Sequence, residues 1–424
     1  MKSAFDAFER RLASELNSDA LFCDGERLAA HRVDGKRAHL LCLPENKEQL
    51  GAIVRLCAEA EAAVAPWGSG TAMALGNPPR QLDVVIRTDR LNRVLDHDPA
   101  NLTVTVECGL SLGRLQSFLS EQRQFVPLDP PFPELSSLGG IIAASLNGPR
   151  RNHYGSVRDL VIGMKVILSS GEQIKAGGKV VKNVAGYDMC KLFVGSLGTL
   201  GIITEVTLRL APVPETAMTV IASGTFAQAQ QFVDALNRSL LFPAAVFLLS
   251  ETRMEHWTVA ACCEGFEETV ARIRTDLTAD ATRAGMFDRI LVGDEHSAFW
   301  RSMQNFSLAS DRVVFRMTVP RAEIFAMIQS VRNRHDCPIV GDILSGTIWL
   351  SCPATKTMVQ QFFTLATMAR ARHGHAIIFS APSALKQGIE VWGESPPSIS
   401  LMRDIKQRFD PKDLLNPGRF LAGI

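Results

Sequence analysis

The sequence predicts an α+β protein of two or three domains. It has 424 residues, which at ~150 residues per domain leaves room for more than one core. Short stretches of alternating apolar and polar residues, typical of strands, are interspersed with stretches of helical periodicity. Glycine is dense from Gly68 to Gly201 and sparse from about Pro214 to His335. With 46% hydrophobic and 21% charged residues, the chain is a globular protein and not disordered, collagenous or coiled-coil.

The glycine-dense part is predicted to hold both helices and strands. From Ser3 onward, Phe5, Phe8, Leu12 and Leu16 recur at helical spacing among charged residues, which indicates an amphipathic surface helix. The other predicted elements are a helix at 47–62, strands at 63–66, 102–107 and 200–210, and a hairpin formed by 161–168 and 172–176.

A second unit is predicted after a boundary near 212–215. It is a plainer α+β unit, with helices around 226–241 and 267–284. A helical tail from 398 to 408 leads into the turn-like run Asn416-Pro417-Gly418-Arg419. The predicted domains are therefore 1–214, 215–397 and a C-terminal segment, 398–424.

Charge and cysteine content narrow the function classes. Lys and Arg number 45 against 44 Asp and Glu, so no basic excess favours nucleic acid. No apolar run approaches the ~20 residues of a membrane span, and the N-terminus does not resemble a signal peptide. The nine cysteines include no C-x-x-C pair, which indicates reduced thiols and argues against an iron–sulfur cluster or structural zinc site. A cytoplasmic chain is expected.

The first motif is the turn from Gly68 to Thr71. Glycines let backbone N–H groups face a phosphate without an intervening Cβ. It is not a Walker A loop, and Met73 stands where a Rossmann fingerprint needs its third glycine. A plain strand-to-loop turn is the alternative interpretation, and the turn by itself favours that one.

Two further glycine-rich stretches follow. Small residues crowd 127–148, which has neither clean helical nor clean strand periodicity, and predicts either a cofactor lying along the backbone or a tightly packed loop. In the run 177–201, Lys179 and Lys182 follow a glycine pair and could face an anion. A solvated side chain is the simpler interpretation for Lys179, whereas Lys182, beside Asn183, leaves the two interpretations balanced.

Five motifs in order resemble the FAD-binding half of FAD-linked oxidases of the vanillyl-alcohol oxidase type. These are 66–71, 101–104, 137–148, 154–159 and 182–201. The string from Gly178 to Asp188 is more specific and resembles the FAD-binding E-type subunits of bacterial glycolate oxidases. The closing Asn416–Arg419 run is similar to the end of that family.

The resemblance implies a PCMH-type FAD domain of two α+β subdomains, with an α+β cap domain built on an antiparallel sheet. It implies FAD held noncovalently, because the first turn lacks the His, Cys or Tyr used for covalent attachment. The implied cofactor residues are Pro66, Trp67, Gly68, Ser69, Gly70 and Thr71 at the pyrophosphate; Asp129, Pro130, Ser137, Leu138, Gly139, Gly140, Ala143, Ser145, Gly148, Tyr154 and Gly155 along the ribityl chain and isoalloxazine; and Gly201, Ile202, Ile203 and Arg419.

Two departures from the family pattern bear on catalysis. Leu197 stands where 2-hydroxy-acid-oxidising relatives carry a glutamate, and the histidines and glutamate of their metal site are missing around 339–343 and 372–375. A metal that lowers the pKa of a hydroxyl needs such ligands, so no metal site is expected. His373 or His375 could serve as base, with Arg316 or Arg372 binding the carboxylate; a structural role for the two histidines on one strand is favoured.

The resemblance therefore implies the FAD-binding subunit of a glycolate oxidase-type complex that oxidises glycolate or D-lactate. A sister FAD subunit would carry the metal-type active site, and an Fe–S subunit would take the electrons. The complex would be cytoplasmic, or attached through its partners to the inner face of the cell membrane. A noncatalytic assembly subunit and a self-sufficient D-2-hydroxy-acid dehydrogenase are the alternatives.

Overall fold

The computed structural model describes residues 2–17, 19–23, 25–178, 188–250, 256–306 and 311–424. It confirms the predicted α+β class. Three main sheets of four, five and eight strands follow one another along the chain, and two short two-stranded ladders accompany them. No helix in these ranges is long and apolar enough to cross a membrane.

The first sheet has the strand order β1-β4-β6-β5. Its unit comprises α1 (Lys2–Glu15), β1 (Leu21–Phe22), α2 (Gly25–Ala30), β2 (Arg32–Val33), β3 (Lys36–Arg37), β4 (Leu40–Cys42), α3 (Lys47–Glu59), β5 (Val64–Trp67) and β6 (Val84–Arg87). Strands β4, β6 and β5 run parallel, with β5 at the edge. The predicted N-terminal helix is present as α1, and its Leu12 is fully buried, in the same core as α3.

The second sheet is antiparallel, in the order β11-β10-β12-β8-β7. Its unit comprises β7 (Val94–Asp98), β8 (Thr103–Glu107), α4 (Leu112–Ser120), β9 (Gln124–Phe125), α5 (Leu138–Ala143), α6 (Arg151–Tyr154), α7 (Val157–Leu160), β10 (Val161–Ile167), β11 (Gln173–Gly177), α8 (Cys190–Phe193), β12 (Ile202–Arg209) and β13 (Ala211–Pro212). The predicted hairpin is β10–β11. Helix α5 is a correction, since its stretch lacked helical periodicity: Ser137 caps it, and one apolar turn is enough to bury Ile141 and Ile142.

The third sheet, called the cap sheet below, is antiparallel in the order β17-β14-β16-β15-β19-β20-β18-β21. Its unit comprises β14 (Thr216–Gly224), α9 (Phe226–Arg238), β15 (Ala245–Ser250), β16 (Trp257–Gly265), α10 (Glu267–Arg283), β17 (Phe287–Val292), α11 (Gly293–Asn305), β18 (Arg312–Thr318), α12 (Ile324–Arg332), β19 (Ile339–Asp342), β20 (Thr347–Pro353), α13 (Lys356–Gln360), α14 (Phe362–Arg370) and β21 (His375–Ser380). The two predicted helices are present as α9 and α10.

The two faces of the cap sheet differ. Because successive side chains of a strand point to opposite faces, Phe315 and Met317 of β18 pack into the cap core with α12 and α14. Val314 packs instead into the core of the second sheet, and Arg316 shares its face. This face of β18 therefore looks toward the second sheet.

The C-terminal segment returns to the first sheet. After α15 (Ser383–Lys386) and α16 (Ile399–Phe409), Leu415 forms a parallel bridge with Val64 of the edge strand. The Asn416 amide donates to the Val64 carbonyl at 2.8 Å. The main sheets change between β13 and β14, near the predicted boundary; the exact limits at 214/215 and 397/398 stay predictions.

Candidate functional site

The loop that follows β5 presents a row of open hydrogen-bond donors. The backbone amides from Gly68 to Ala72 have no acceptor among the described residues. Gly70 adopts a φ of 81°, a left-handed conformation that glycine reaches without steric cost. Successive amides around such a residue form a concave anion site. We call these five residues the amide loop.

The amide loop is held against the start of α5. The Ser69 hydroxyl accepts from the Ser137 amide at 3.1 Å, and the Thr71 and Ser136 hydroxyls are 2.9 Å apart. A Cβ at Gly68 would lie 2.0 Å from the Ser137 hydroxyl oxygen, so only glycine permits this approach. The loop is therefore fixed by side-chain hydroxyls while its own amides stay open.

Two buried cationic side chains donate hydrogen bonds to the backbone carbonyl groups that follow the amide loop. Lys386 Nζ donates to the Ala74 and Gly76 carbonyls, at 2.8 and 3.1 Å. Arg419 Nη2 donates to the Met73 carbonyl at 2.9 Å and also to the Leu75 carbonyl. The segment thus turns its carbonyls toward the C-terminal part of the chain.

Arg419 keeps two donors free. Its residue is only 2% exposed, yet Nε and Nη1 have no hydrogen-bond partner among the described residues. Burial lowers the pKa of Arg419, and the nearby charge of Asp34 opposes that effect. A buried guanidinium with unsatisfied donors costs free energy unless an anion meets it. Since Arg419 lines the same cavity as the amide loop, the two form one anion-binding surface.

Residues of the amide loop, of α5 and of the start of β12 line one cavity. Of the residues implied by the resemblance, its walls contain Pro66, Trp67, Gly68, Ser69, Gly70, Thr71, Ser137, Gly139, Gly140, Ala143, Gly201, Ile202, Ile203 and Arg419. Asp129, Ser145 and Gly148 line a second cavity. Pro130, Leu138, Tyr154 and Gly155 lie outside the walls of both.

Several wall residues were not anticipated from the sequence. They are Ala72, Met73, Thr88, Ala144, Leu197, Gly198 and Asn416. Asn416 had a signal, because it opens the Asn-Pro-Gly-Arg run. Its side chain donates to the Leu197 carbonyl at 2.7 Å, which ties the C-terminal segment to the far wall. Lys179, Lys182 and Asn183 lie outside the described residues.

The residues that line this cavity suit parts of FAD. The open amides and the free donors of Arg419 suit the pyrophosphate, and the small residues of α5 leave room for a long, thin group. The wall residues include no His, Cys or Tyr among those described. Covalent attachment through such a side chain therefore finds no support in this part of the chain, and noncovalent binding stays the expectation.

The second cavity lies where the cap sheet faces the second-sheet unit, and its volume is about 330 Å³. Ala144 and Leu197 belong to the walls of both cavities, so the two adjoin. Leu197, which stands where the resemblance implies a glutamate, has a φ of 52°. Three aromatic rings give the second cavity apolar walls: those of Trp349 and Phe379 from the cap sheet, and that of Trp392 from the stretch between α15 and α16.

Two arginines that line the second cavity have no ion pair with a carboxylate among the described residues. Arg316, from β18, lies 5.2 Å from the centre of the Phe379 ring. Arg151, from α6, lies on the wall contributed by the second-sheet unit. Neither guanidinium has an ion pair or hydrogen bond among the described residues. Burial, and secondarily the charge of Arg151, lower the pKa of Arg316 to about 10, so it stays cationic.

The two candidate histidines occupy different positions relative to the second cavity. His375 begins β21 and lines the second cavity. Desolvation, together with the charge of Arg316, lowers the pKa of His375, so its ring is neutral at pH 7. The expectation that both histidines share one strand is wrong: His373 precedes β21 in a turn with a φ of 59° and is outside the cavity wall.

Arg372 is also outside the cavity. Its guanidinium lies 3.7 Å from Glu323 and donates to the Ser330 hydroxyl at 3.0 Å. Of these two candidate arginines, only Arg316 lines the second cavity.

The first stretch in which the resemblance implies metal ligands, 339–343, comprises β19 and the start of the turn that follows it. Asp342, at the end of β19, accepts from the Ser345 hydroxyl at 2.5 Å and from the Leu344 amide at 3.1 Å. Burial raises the pKa of Asp342 to about 6. Among the described residues, no three His, Cys, Asp or Glu side chains are grouped to hold a metal ion.

The sequence of this chain is similar to two protein families and to several characterised proteins. Residues 38–177 match the FAD binding domain family, and 392–420 match the C-terminal domain of FAD linked oxidases. The chain is 29% identical to the glycolate oxidase subunit GlcD of Bacillus subtilis strain 168 over 89% of this chain and 88% of that one. It is also 29% identical to the glycolate oxidase subunit GlcE of Escherichia coli strain K12, covering 84% and 92%.

A solved structure has the same fold. p-Cresol methylhydroxylase with substrate bound superposes with a TM-score of 0.75 over 99% of this chain and 97% of that chain, at 16% identity. The likeness shows a shared fold, and the two family matches supply the cofactor, FAD. The chain is an FAD-dependent oxidoreductase that contains the FAD binding domain and the C-terminal domain of the FAD linked oxidases.

Proposed function

We propose that the chain is the noncovalent FAD-binding subunit of a glycolate oxidase-type complex that oxidises a 2-hydroxy acid to the 2-oxo acid. The observation that carries the proposal is the adjoining of the two cavities. One has the donors for a pyrophosphate, and the other holds Arg316 without a carboxylate partner. A small acid in the second cavity is thereby brought beside the end of the cofactor cavity.

Arg316 supplies the carboxylate contact in this proposal. Guanidinium groups bind carboxylates by paired, charge-assisted hydrogen bonds. Stacking on Phe379 fixes the plane of the group, and its register opposite Trp349 and Ile377 holds β18 at the centre of the cavity wall. The acid is then oriented with its C2 toward the cofactor cavity.

His375 is the proposed base. Oxidation removes a hydride from C2 and a proton from the 2-hydroxyl group, and FAD, when bound, supplies the acceptor for that hydride. A neutral imidazole can take the proton, and desolvation and Arg316 both favour its neutral form. The two charges of the reaction, carboxylate and proton, are thus handled by two cap residues on adjacent strands.

A complex is supported by the relatives. Both glycolate oxidase proteins that resemble this chain are named as subunits. We propose a sister FAD subunit with a metal-type active site and an Fe–S subunit as electron acceptor, in the cytoplasm or at the inner face of the membrane through those partners. The substrate is glycolate or D-lactate in this proposal.

The test is the visible spectrum of the purified chain, recorded before and after anaerobic addition of glycolate or D-lactate. A flavin spectrum that does not bleach alone but bleaches after the partner subunits are added supports the proposal. A spectrum that bleaches in the isolated chain shows a self-sufficient dehydrogenase instead.

Substitution separates catalysis from assembly. In the assembled complex, Arg316→Ala should raise the KM for the acid without loss of flavin, while Arg114→Ala, an exposed arginine on α4, should change neither. Colourless protein that still binds its partners would establish the noncatalytic assembly subunit and contradict the proposal.

A further inference from the structure

Two cysteine thiols meet inside the cap unit. Cys337 lies in the bend before β19, and Cys352 lies in β20. Cys337 is 4% exposed and Cys352 is fully buried, and both belong to the core between the cap sheet and its helices. The Cys352 thiol donates a hydrogen bond to the sulfur of Cys337. Both are free thiols, and neither contributes to the walls of the two cavities described above.

The strand register places the two side chains opposite each other. The Ser351 amide donates to the Pro338 carbonyl at 3.1 Å, which continues the register of β19 and β20 by one hydrogen-bonded pair. The next pair outward, Cys337 and Cys352, is therefore a non-hydrogen-bonded pair of the antiparallel ladder. The Cα atoms of such a pair are about 4.5 Å apart, within the range of about 4.4–6.8 Å that a disulfide spans. A bond between the two sulfurs thus fits the existing spacing of the strands.

The two thiols differ in reactivity. The hydrogen bond from Cys352 lowers the pKa of Cys337; burial opposes this effect, and the charge of Arg312 adds to it. The same hydrogen bond raises the pKa of Cys352. Because the thiolate is the nucleophilic form, Cys337 is the sulfur suited to attack an oxidant. Its neighbours Asp336 and Pro338 are exposed and half-buried, so Cys337 lies close to the surface.

We propose that Cys337 and Cys352 form a reversible disulfide when the protein meets hydrogen peroxide. The Cys337 thiolate attacks one peroxide oxygen, the O–O bond breaks, and the departing hydroxide takes up the proton that Cys337 had released. Cys337 is then a sulfenic acid. The Cys352 sulfur attacks the Cys337 sulfur, the S–O bond breaks, and the departing hydroxide takes the thiol proton of Cys352. Two thiols are thereby oxidised to one disulfide, and one peroxide is reduced to two water molecules.

The disulfide joins two strands that also contribute to the second cavity. Val340 of β19 and Trp349 of β20 are register partners, and both line that cavity. Oxidation therefore fixes, from the cap-core side, a strand pair that forms part of the cavity wall. The inference does not depend on the proposed function, because it concerns only the thiols of the cap.

The test uses the whole FAD-loaded chain carrying Cys23→Ser, because Cys23 is exposed and would compete for the oxidant. The reduced protein is treated with hydrogen peroxide, which catalase then removes, and the cysteines are alkylated and mapped by mass spectrometry. A disulfide between Cys337 and Cys352 should be the main product, and dithiothreitol should restore both thiols. A pair that stays reduced, or a product that dithiothreitol does not reverse, overturns the inference.

Single variants assign the roles of the two sulfurs. Cys352→Ala should leave a sulfenic acid at Cys337 that dimedone captures, whereas Cys337→Ala should leave Cys352 unlabelled. Cys263→Ala, the control, removes another buried thiol of the same core, whose pKa burial raises to about 12, and should leave disulfide formation unchanged. Labelling of Cys352 but not of Cys337 overturns the proposed order of attack. Loss of the disulfide in Cys263→Ala overturns the specific role of the pair.

Discussion

Arg150 Nε lies 3.0 Å from both carboxylate oxygens of Glu264, which joins the loop before α6 to β16 of the cap sheet. The same guanidinium contacts Asp129 at 3.0 Å. Burial alone would lower the pKa of Arg150, and the two carboxylates outweigh it, so the pKa is raised. One arginine therefore ties the FAD-binding part of the chain to its cap at the edge of the second cavity.

Loss of this tie should destabilise the protein. Arg150→Ala removes the positive charge that faces two buried carboxylates and should lower the free energy of unfolding by about 3 kcal/mol, as expected for breaking a buried ion pair. Urea denaturation of the FAD-loaded protein measures it. Arg272→Ala, which removes an exposed pair with Asp276, should cost less than about 0.5 kcal/mol. Equal effects of the two variants would contradict the assigned role of Arg150.

Arg419 should determine the affinity for FAD. Arg419→Gln removes the charge whose free donors line the cofactor cavity, so the Kd for FAD should rise at least about tenfold, the cost of one charge-assisted contact. Quenching of FAD fluorescence on titration into apoprotein measures it. Arg403→Ala, an exposed arginine on α16, is the matched control. An unchanged Kd for Arg419→Gln would show that the pyrophosphate lies elsewhere.

The sequence predicts the walls of the cavity beside the amide loop better than those of the second cavity, for a physical reason. The conformation of the amide loop requires a close approach at Gly68 and a positive φ at Gly70. Both requirements are met by glycine, which is visible in the sequence. Arg151 and Arg316 are 165 positions apart, and only the packing of β18 against the second-sheet unit brings them to one cavity. Nothing local distinguishes Arg151 from its neighbour Arg150, because the partner that commits Arg150 is on β16.

Gly70 should tolerate no side chain. Its Cβ would lie 2.8 Å from the Trp67 ring, and its φ of 81° costs an L-residue about 1–2 kcal/mol. Gly70→Ala should therefore distort the amide loop and weaken FAD binding, and Gly70→Trp should abolish it without unfolding the cap. Flavin content and circular dichroism measure the two effects. Gly178→Ala, where a Cβ would have no atom of the described residues within 4 Å, is the control. Full flavin retention by Gly70→Trp would be inconsistent with a pyrophosphate at this loop.

The pH dependence of flavin reduction should follow His375. Desolvation and the charge of Arg316 lower the pKa of His375 below the ordinary histidine value of ~6.5. The ring is therefore protonated, and inactive as a base, only at a pH below that ordinary value. Arg316→Gln removes the positive charge, raises that pKa, and should move the acidic limb to higher pH. Stopped-flow reduction of the complex by saturating 2-hydroxy acid measures the profile. An acidic limb at the same pH in both proteins would rule out His375 as the base.

The central claim is that the amide loop and Arg419 bind the pyrophosphate of FAD. The most direct measurement is a calorimetric comparison of FAD and riboflavin binding to the apoprotein, because riboflavin has the same ring system and no pyrophosphate. The account predicts one FAD per chain, with riboflavin bound at least about a hundredfold more weakly, as expected for two or more lost charge-assisted contacts. Equal affinity for the two ligands, or no FAD binding at all, would contradict it.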